Sequence, residues 1–402
     1  MKNKILYISL TGMSEALGRS QVFEYLIELS KRNEIHLISF ERAEDKANIN
    51  DIEELANKYN IKWKYFEYSN RYGVFSTIIQ IVTAIIYAIT IIKKYEINII
   101  HSRSMIPATM AVILKKIFGI HHLFDIRGFV FDEKVDSGRL SKNSTLYKSL
   151  LKLENWLYKN SDHVVTLTQR SKEIISERYN IYEDEISVIP TCASRNSFKL
   201  LSQEDKNKFK YDLGFTKDDI ILIHTGSVTN SYDFDSEVKL FKELHKKNSN
   251  IRLLVVNKGQ HEFVKEKFEQ YKIENHLYKI TSSSFEDMHK YLNIADASIF
   301  FIPPTYSKQA STPTKFAENL LCHLPSITNK GVGDMQFYMK NYNVGLIFDL
   351  RDIEDNIDNI IFYMMKTKKT NQNYEFDVLF EKYFDKEKAV ESYDRIYSKL
   401  IE

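Results

Sequence analysis

A lysine and a glutamate stand one helical turn apart in the stretch STPTKFAENLLCHLPSI, residues 311–327. Thr312 is a suitable N-cap and Pro313 suits the first position of a helix, so a helix is predicted to begin here. Its N-terminal amide groups attract an anion, and Lys315 in the first turn adds a full positive charge. Glu318 lies on the same helix face, and its carboxylate can accept hydrogen bonds from two hydroxyl groups. These residues predict a site for a diphosphate and a ribose; the alternative is an ordinary surface pair between Lys315 and Glu318.

The regular elements that position these residues alternate along the whole chain. Short apolar strands and helical segments follow one another from KILYISL and EIHLISF, and the pattern begins again at DIILIHTGS and IRLLVVNKG. This order is typical of βαβ units, which build parallel sheets. Because 402 residues exceed one ordinary hydrophobic core, we predict an α/β protein with two Rossmann-like domains, at 1–192 and 193–375. One or two helices in 376–402 are expected to pack back on the N-terminal domain.

Glycine is scarce in this chain, and its positions follow the predicted strands. Ligands bind beyond the carboxyl ends of the strands in open parallel sheets, and glycine there allows close approach to the backbone. Loops also favour glycine without any ligand. Because both halves show the pattern, we predict a ligand held between two facing domains. The chain has 12 glycines, and those that come just after strand ends are Gly12, Gly18, Gly128, Gly226, Gly259, Gly331 and Gly333.

Composition argues against several classes of protein. The formal net charge is +2 and no long basic tract occurs, so a nucleic-acid partner is not expected. Cys192 and Cys322 are the two cysteines and lie far apart, which argues against a disulfide framework or a zinc site and favours a reducing cytoplasm. No cluster of His, Asp and Glu has metal-binding spacing, so no metal requirement is predicted.

Two segments bear on a membrane. The N-terminal apolar run is interpreted as a first strand rather than a signal peptide. The uncharged helix 74–92 is open to three interpretations: a buried helix of an α/β domain, a membrane-contacting helix or a membrane span. Helix 146–159 combines basic residues with an aromatic and aliphatic stripe, which suits an anionic interface, although both helices can simply cover the sheet. The lysines concerned are Lys93, Lys94, Lys115, Lys116, Lys148, Lys152 and Lys159.

The stretch STPTKFAENLLCHLPSITN resembles the nucleotide-sugar signature of retaining, family-four-like glycosyltransferases of the GT-B fold. The runs TGMSEALGRSQVFEYLIELSK, IIHSRSMIPA and FDIRGFVFDEKVDSGR are similar to a bacterial branch that builds surface polysaccharides. The resemblance spans essentially the whole chain. It implies two Rossmann-like domains facing across a cleft, with a UDP- or GDP-sugar on the C-terminal domain and a glycan or polyprenyl-diphosphate-linked acceptor on the N-terminal domain.

The resemblance also implies an activity and a place in the cell. The chain would transfer a hexosyl or N-acetylhexosaminyl group with retention of configuration, for capsule, O-antigen or exopolysaccharide biosynthesis. The nucleotide sugar would be a co-substrate, and no further cofactor is implied. The protein would be cytoplasmic, with peripheral contact at the inner face of the plasma membrane.

Site residues follow from the strand ends and from the resemblance together. Transfer requires electrostatic support of the leaving diphosphate rather than a protein nucleophile. Arg127 lies near where relatives often place a sugar-contacting histidine, with a structural salt bridge to a loop acid as the alternative. Two or more of the loop acids 125, 132 and 133 are expected to be simply solvated, and His101 to be a satisfied core histidine. The catalytic candidates are Arg127, Arg103 and Asp125; the donor-binding candidates are Lys315, Glu318, Thr312, Lys258, Gly226, Ser227 and Gly12; the acceptor-binding candidates are Glu15, Arg19, Asp132 and Glu133.

Three departures from the family pattern keep other functions open. Many relatives carry a second glutamate eight positions before Glu318, where this chain has Ala310. Many also have an Arg and a Lys after the first C-terminal strand, where the loop here reads GSVTNSYDF, and His323 stands where glycine is usual. A nucleotide-sugar epimerase and a non-catalytic subunit that binds a nucleotide sugar or a polysaccharide therefore remain as alternatives.

Overall fold

The computed structural model describes residues 2–42, 46–68, 74–229, 231–369 and 375–402. The chain divides into two compact units. The first unit consists of Met1–Cys192 together with Lys386–Glu402, and the second of Ala193–Asp385. The return to the first unit therefore occurs at Lys386, ten residues later than the expected start of the tail at 376.

The first unit is a parallel sheet covered by helices on both faces. In its described residues the sheet has seven strands in the order β3-β2-β1-β4-β5-β6-β7. The strands are β1 Lys4–Ser9, β2 Glu34–Arg42, β3 Lys62–Tyr68, β4 Ile99–Arg103, β5 His121–Asp125, β6 His163–Thr166 and β7 Ile186–Val188. The helices are α1 Ala16–Gly18, α2 Glu24–Ser30, α3 Lys46–Lys58, α4 Val74–Tyr95, α5 Met105–Phe118, α6 Val130–Asp136, α7 Thr145–Lys159 and α8 Gln169–Tyr179.

The second unit repeats this architecture. Its described residues form a six-stranded parallel sheet in the order β10-β9-β8-β11-β12-β13. The strands are β8 Ile220–Thr225, β9 Ile251–Val256, β10 Tyr278–Thr281, β11 Ala297–Ile299, β12 Ser326–Asn329 and β13 Gly345–Phe348. The helices are α9 Gln203–Asp212, α10 Phe234–Lys247, α11 His261–Gln270, α12 Met288–Ile294, α13 Thr314–Leu321, α14 Met335–Asn341, α15 Ile357–Lys369 and α16 Phe376–Leu379. The predicted α/β class with two Rossmann-like units is confirmed.

Alternate side chains of the central strands enter cores on opposite faces of each sheet. In β1, Ile5 and Tyr7 join one cluster of buried residues and Leu6 and Ile8 join another. Parallel strands that are buried on both faces need such continuous apolar runs, which explains why the strand segments were recognisable in the sequence.

Strand order places a topological switch point in each unit. In the first unit β1 lies between β2 and β4, and in the second β8 lies between β9 and β11. The chain therefore leaves the two central strands in opposite directions, and a crevice opens at their carboxyl ends, where ligands bind in such folds. Ligands are therefore expected beside four loops, those that follow β1, β4, β8 and β11.

The helix α4 covers the sheet with only one of its faces. It contributes Ala84, Ala88 and Ile92 to the core, whereas Ile79 is 66% and Ile86 59% exposed. Among the described residues, one helical window, Ile78–Tyr95, is long and apolar enough to cross a membrane, and 22% of that window is buried. The expectation of a buried helix therefore holds for one face of α4 and is wrong for the other.

The C-terminal tail is shared between the units. Residues 376–385 stay in the second unit, where Phe376 and Phe380 lie in the core. The last helix, α17 Lys386–Ile401, belongs to the first unit, and its Tyr393 and Tyr397 are buried in the cluster that also contains Ile5 of β1.

Candidate functional site

Lys315 is buried in the second unit, and its ammonium has no hydrogen-bond partner among the residues that the structure describes. Its residue is 6% exposed, and Nζ makes no hydrogen bond to any described residue. The ammonium lies 3.8 Å from the centroid of the Tyr232 ring and 5.6 Å from that of Phe300. A cation over an aromatic face is attracted by the ring quadrupole, but an ammonium group has three donors to satisfy. The site thus holds a desolvated cation that can bind an anion.

Burial lowers the pKa of Lys315 to about 8, although the carboxylates of Glu237 and Glu318 act in the opposite direction. The charged form is therefore retained at neutral pH in spite of desolvation. An added anion would favour this form further.

The helix that carries Lys315 begins two residues after the predicted cap. Pro313 occupies the N-cap position with φ −64° and ψ 122°, and α13 begins at Thr314. The prediction that Thr312 is the N-cap is thus wrong by one residue, because Pro313 adopts the extended conformation that ends the preceding loop. Glu318 is half-buried one turn after Lys315, as the spacing predicts.

Three further donor candidates, Gly226, Ser227 and Lys258, lie after β8 and β9. Gly226 adopts φ +84° and its carbonyl accepts a hydrogen bond of 2.7 Å from Asn257 Nδ2. Ser227 is exposed, and its carbonyl oxygen lies 3.0 Å from Nε2 of the buried His224. Lys258 is exposed beyond the end of β9, so the structure does not bring it into the desolvated environment of Lys315.

A buried hydrogen bond between His224 and Glu237, which sequence reasoning missed, helps to connect the two central strands of this unit. Nδ1 of His224 in β8 lies 2.6 Å from Oε2 of Glu237 in α10. The other oxygen of Glu237 accepts the backbone N–H of Phe301, which follows β11, at 3.0 Å. Both carboxylate oxygens are thus engaged inside the protein. A histidine in an apolar strand, followed 13 residues later by a glutamate on the apolar face of a helix, was the available signal.

The histidine at the family's glycine position adopts a glycine-like backbone. His323 has φ 52°, a left-handed conformation that glycine adopts without strain. Its ring stacks on Phe376 with centroids 5.5 Å apart, and Nε2 lies 3.1 Å from Oδ2 of Asp377. These contacts help stabilise the unusual conformation and explain how the departure is accommodated.

The catalytic candidates meet in the first unit around one carboxylate. Asp125 ends β5 and is fully buried. Its Oδ2 lies 3.3 Å from Arg127 Nε, 3.8 Å from Arg103 Nη1 and 3.6 Å from His101 Nε2. Burial raises the pKa of Asp125, but Arg127, His101 and Arg103 outweigh this and hold it below its usual range.

Several polar atoms of this cluster are left without hydrogen-bond partners among the described residues. They are Asp125 Oδ1, Arg127 Nε, Arg127 Nη1 and His101 Nε2, all of them buried. Buried polar groups are normally paired with protein or ordered water, so these atoms are candidates for contact with a polar ligand. His101 is buried as expected, and its Nδ1 lies 2.6 Å from the Tyr397 hydroxyl.

The helix α17 contributes phenols that the sequence did not suggest. The Tyr393 hydroxyl donates to Asp125 Oδ2 at 3.2 Å, and Tyr397 bonds His101 as described. Interpreting 376–402 as terminal helices gave no role to these tyrosines. The spacing of the two residues, one turn apart on a helix with a buried face, was the signal that sequence reasoning missed.

Ser104 links Arg103 to α5 through a strained backbone. It has φ 75° and ψ 175°, and its N–H donates to the carbonyl of Asp125 at 2.9 Å. Such conformations in residues other than glycine cluster at functional sites. The strain therefore supports a functional role for the end of β4.

The loop after β1 is organised by an internal carboxylate. Glu41, at the end of β2, accepts hydrogen bonds from the backbone N–H groups of Met13 at 2.8 Å and Ser14 at 3.0 Å. A Cβ atom at Gly12 would lie 2.7 Å from Oε2 of Glu41. Glycine is therefore required here by Glu41, and the assignment of Gly12 to the donor has no support from this geometry.

The acceptor candidates fall into different environments. Asp132 is buried and bonded by Arg178 at 2.8 and 3.2 Å and by the Tyr147 hydroxyl at 2.5 Å. It therefore joins α6, α7 and α8, and its role as an acceptor contact stays a prediction. Because Asp125 and Asp132 are both buried, the expectation that two or more of the three loop acids are simply solvated is wrong. Glu133 is exposed on α6.

Glu15 and Arg19 lie beside the loop after β1. Glu15 Oε1 forms an ion pair of 3.2 Å with Arg42 Nε. Arg19 is half-buried in the π-helical turn Arg19–Phe23, with its guanidinium 5.8 Å from the Phe23 ring centroid. Both remain predictions as acceptor contacts.

Among the residues that the structure describes, no group of three or more His, Cys, Asp or Glu side chains is arranged to hold a metal ion. The metal-independent reaction remains a prediction.

Two family models match consecutive parts of the chain. Residues 20–194 match the model described as Glycosyltransferase Family 4, and residues 205–375 match the model described as Glycosyl transferases group 1. Among curated proteins, an uncharacterized glycosyltransferase of Methanocaldococcus jannaschii is 21% identical over 242 residues, which are 59% of this chain and 57% of that protein. The match thus spans little more than half of that relative's length.

Solved structures share the fold over the full chain. The crystal structure of HepE from Anabaena, in complex with UDP and glucose, has a TM-score of 0.70 at 15% identity and covers 98% of this chain and 99% of its own. A glycosyltransferase from Rickettsia africae has a TM-score of 0.71 at 18% identity, covering 100% and 99%. At these identities the likeness shows a common fold.

Proposed function

The chain belongs to the family-four-like glycosyltransferases of the GT-B fold, and on that premise we propose that it transfers a sugar from a UDP- or GDP-sugar to a glycan acceptor. The transferred group is a hexosyl or N-acetylhexosaminyl unit, and its anomeric configuration is retained. The product belongs to a bacterial capsule, O-antigen or exopolysaccharide. The observation that carries the proposal is Lys315, whose buried ammonium has no hydrogen-bond partner among the described residues.

Transfer of the sugar requires the protein to stabilise the leaving nucleoside diphosphate. The bond between the sugar C1 and the diphosphate oxygen breaks, and its electron pair leaves with the nucleoside diphosphate. The acceptor hydroxyl oxygen forms the new bond to C1, and its proton passes to the departing phosphate oxygen. Positive charge fixed at the diphosphate lowers the barrier because negative charge grows there in the transition state.

The residues of the second unit suit the donor. Lys315 supplies positive charge at the N-terminal turn of α13, where backbone N–H groups also point outward. Glu318, one turn further, suits the paired hydroxyl groups of a ribose. The complex of HepE with UDP and glucose supports a nucleotide sugar as the ligand class.

The first unit contributes the remaining candidates. Arg127 is the catalytic candidate best placed to receive an anionic or polar ligand, because its Nε and Nη1 are buried and without hydrogen-bond partners among the described residues. Arg103 and Asp125 hold Arg127 in a defined electrostatic environment. Glu15 and Arg19 remain the acceptor contacts in this proposal.

Release of nucleoside diphosphate from UDP- and GDP-sugars in the absence of acceptor tests the proposal. Slow release that Glu318→Ala abolishes is the expected result, and release that accelerates on adding a glycan acceptor supports transfer. A panel of UDP, GDP, ADP and CMP in thermal unfolding identifies the base, because a ligand that binds only the native state raises its stability.

A non-catalytic sugar-nucleotide or polysaccharide-binding subunit is the second candidate. Ala310 is buried where relatives carry a glutamate, and this observation favours the alternative. Nucleotide-sugar binding without any release, with or without acceptor, supports it. Formation of an epimerised sugar without acceptor supports the third alternative, an epimerase, instead.

The acceptor is proposed to be linked to a lipid diphosphate, and the protein to work at the inner face of the plasma membrane. The supporting feature is the α4–α5 face, defined by the exposed residues Ile78, Ile79, Val82 and Ile86 of α4 and Ile106, Ile113 and Ile117 of α5. The two helices contact one another and share a core cluster. Its exposed lysines, Lys93, Lys94 and Lys116, suit anionic headgroups.

The threonine hydroxyl groups near this face have their hydrogen-bond acceptors within α4 itself. Thr83 and Thr90 of α4 donate to carbonyls of their own helix, Ile79 O at 2.8 Å and Tyr87 O at 2.7 Å. An apolar medium tolerates hydroxyl groups that are bonded in this way. This observation favours a lipid surface over a merely solvated helix.

Co-sedimentation with vesicles of anionic lipid tests the membrane contact separately from catalysis. We expect salt-sensitive binding that the double variant Ile79→Glu with Ile86→Glu abolishes, while Leu200→Glu, at an exposed leucine of the second unit, has no effect. A wild-type protein that stays in the supernatant at every salt concentration overturns the membrane contact and leaves the transferase proposal in place.

A further inference from the structure

The loop after β8 contains no basic residue, yet a lysine from another loop reaches it. Residues 226–234 read GSVTNSYDF. Lys308 lies in the short 3-10 helix Tyr306–Ala310 that follows β11, and its Nζ donates a hydrogen bond of 3.3 Å to Ser231 Oγ. Because β8 and β11 flank the switch point of the second unit, this contact spans the crevice at their carboxyl ends.

The backbone of Lys308 is held in place on both sides. Its N–H donates to Thr305 O at 3.1 Å, and its carbonyl accepts from the N–H groups of Gly333 at 2.9 Å and Ser311 at 3.1 Å. The bond from Gly333 also ties in the loop after β12. The side chain is half-buried, so a ligand meets a lysine whose position is already largely set.

Two lysines thereby converge on two consecutive residues. Lys308 bonds Ser231, and the ammonium of Lys315 lies 3.8 Å from the ring centroid of Tyr232. The nearby buried carboxylate of Glu237 is taken by His224 and by the N–H of Phe301. Ser231 and Tyr232 are adjacent in the chain, so both ammonium groups lie beside one loop, and a ligand with more than one negative charge can contact both.

We propose that Lys308 and Lys315 together bind the diphosphate of the donor, with the Ser231 hydroxyl as a third donor. The assignment rests on the proposed function and deepens it by naming the cation that replaces a basic residue in the loop after β8. Lys258, which the sequence suggested for this role, is exposed after β9. The sequence did show Lys308 directly after a strand, in YSKQAS, but only the contact with Ser231 distinguishes it from the other loop lysines.

Binding measured by calorimetry with a graded set of probes tests this proposal. The probes are UDP, GDP, their nucleosides uridine and guanosine, and inorganic pyrophosphate. Lys308→Met is compared with Lys308→Arg, which keeps the charge, and with Lys340→Met, which removes an exposed lysine of α14. Circular dichroism and urea unfolding establish that each variant is folded.

Lys308→Met is expected to weaken binding of the preferred nucleoside diphosphate and of pyrophosphate about tenfold, as for one lost charged hydrogen bond. Nucleoside binding should be unchanged, the dependence of affinity on salt should become shallower, and Lys308→Arg should restore most of the affinity. Lys340→Met should match the wild type in every measurement.

The outcomes separate the two proposals. Equal diphosphate affinity in Lys308→Met and the wild type overturns the role of Lys308 and leaves the proposed function intact. Binding of pyrophosphate but of no nucleotide, with the loss in Lys308→Met retained, overturns the nucleotide-sugar function and keeps the diphosphate site. A wild-type protein that binds none of the probes overturns both.

Discussion

The two units treat buried charge in opposite ways. In the first unit the guanidinium groups of Arg103 and Arg127 lie within 4 Å of the buried carboxylate of Asp125. In the second unit the buried ammonium of Lys315 contacts aromatic rings and has no hydrogen-bond partner among the described residues. The Asp125 carboxylate lies among cations of the chain itself, whereas the Lys315 ammonium is the group for which we propose an anionic ligand.

The loops at the two switch points repeat this difference. The carboxylate of Glu41 takes the backbone N–H groups of Met13 and Ser14 after β1. In the corresponding loop after β8, Ser231 Oγ instead accepts a hydrogen bond from Lys308 Nζ. Backbone N–H groups after β1 thus already bind a carboxylate of the chain, and this contrast supports the proposal that the diphosphate binds the second unit.

Removing the buried carboxylate of Asp125 should have the largest effect on stability. Asp125→Asn leaves the charges of Arg103 and Arg127 buried without their carboxylate, and loss of one partner of a buried pair costs about 3–5 kcal/mol. Urea unfolding of the variant measures the loss, with Asp184→Asn at an exposed position as the control, for which a change within about 0.5 kcal/mol is expected. A loss below about 1 kcal/mol would show that the cluster is not balanced by Asp125.

Removing the buried ammonium of Lys315, unlike removing the carboxylate of Asp125, should not lower the stability of the ligand-free protein. Lys315→Met replaces a desolvated ammonium by an apolar side chain of similar length, so the ligand-free protein should be as stable as the wild type or more so. Binding of the nucleoside diphosphate should weaken by about 1.5–3 kcal/mol, as for a lost hydrogen bond to a charged group. Unchanged affinity in a folded variant removes Lys315 from the donor site.

The titration of Lys315 sharpens the contrast. Its pKa is lowered to about 8 from 10.5, first by burial, with Glu237 and Glu318 opposing. Between these two values the unfolded chain binds more protons than the folded one, so the stability of the ligand-free protein should rise with pH across this window. Diphosphate affinity should fall about tenfold from pH 7 to pH 9, as the charged fraction of Lys315 falls.

Lys315→Met provides the control for that titration. Its diphosphate affinity, measured by calorimetry, should show no loss centred near pH 8. A wild-type affinity that is constant from pH 7 to pH 9 contradicts the involvement of the Lys315 ammonium.

Removing the hydroxyl group of Tyr393 should have the smallest effect on stability. Tyr393→Phe removes a hydrogen bond of 3.2 Å to Asp125 while both arginines remain, and a loss of about 1 kcal/mol is expected. Urea unfolding beside Tyr211→Phe, at an exposed tyrosine of α9, separates this bond from a general effect of losing a hydroxyl. Equal midpoints for the two variants indicate that Tyr393 contributes by packing alone.

The fold was predictable because its signal is local. Apolar runs such as KILYISL are buried on both sheet faces, so each strand was visible in a few consecutive residues. The Lys315–Glu318 spacing placed both residues on α13 for the same reason. The error at Thr312 is one residue, within the usual uncertainty of helix ends.

What the sequence did not predict depends on contacts between distant residues. Asp132 was predicted as an acceptor contact, with a simply solvated carboxylate as the alternative, but Arg178 and Tyr147 approach it from other helices. Lys258 and Lys308 are equivalent as loop lysines until the partner Ser231 is known. The sequence kept a membrane-contacting helix as one interpretation of α4, but it could not decide between the interpretations, because an apolar helix has the same composition whether it is covered or not.

The discontinuous first unit has a consequence for synthesis of the chain. Residues 1–192 leave the ribosome before the second unit, but Tyr393 and Tyr397 of α17 emerge after it. The second unit is continuous, and the Ala193 N–H closes it by bonding Phe384 O at 3.1 Å, so it can fold as a unit during translation. The nascent first unit meanwhile holds Asp125 and His101 without their phenols. Its polar cluster is therefore completed only after the second unit has been fully synthesised.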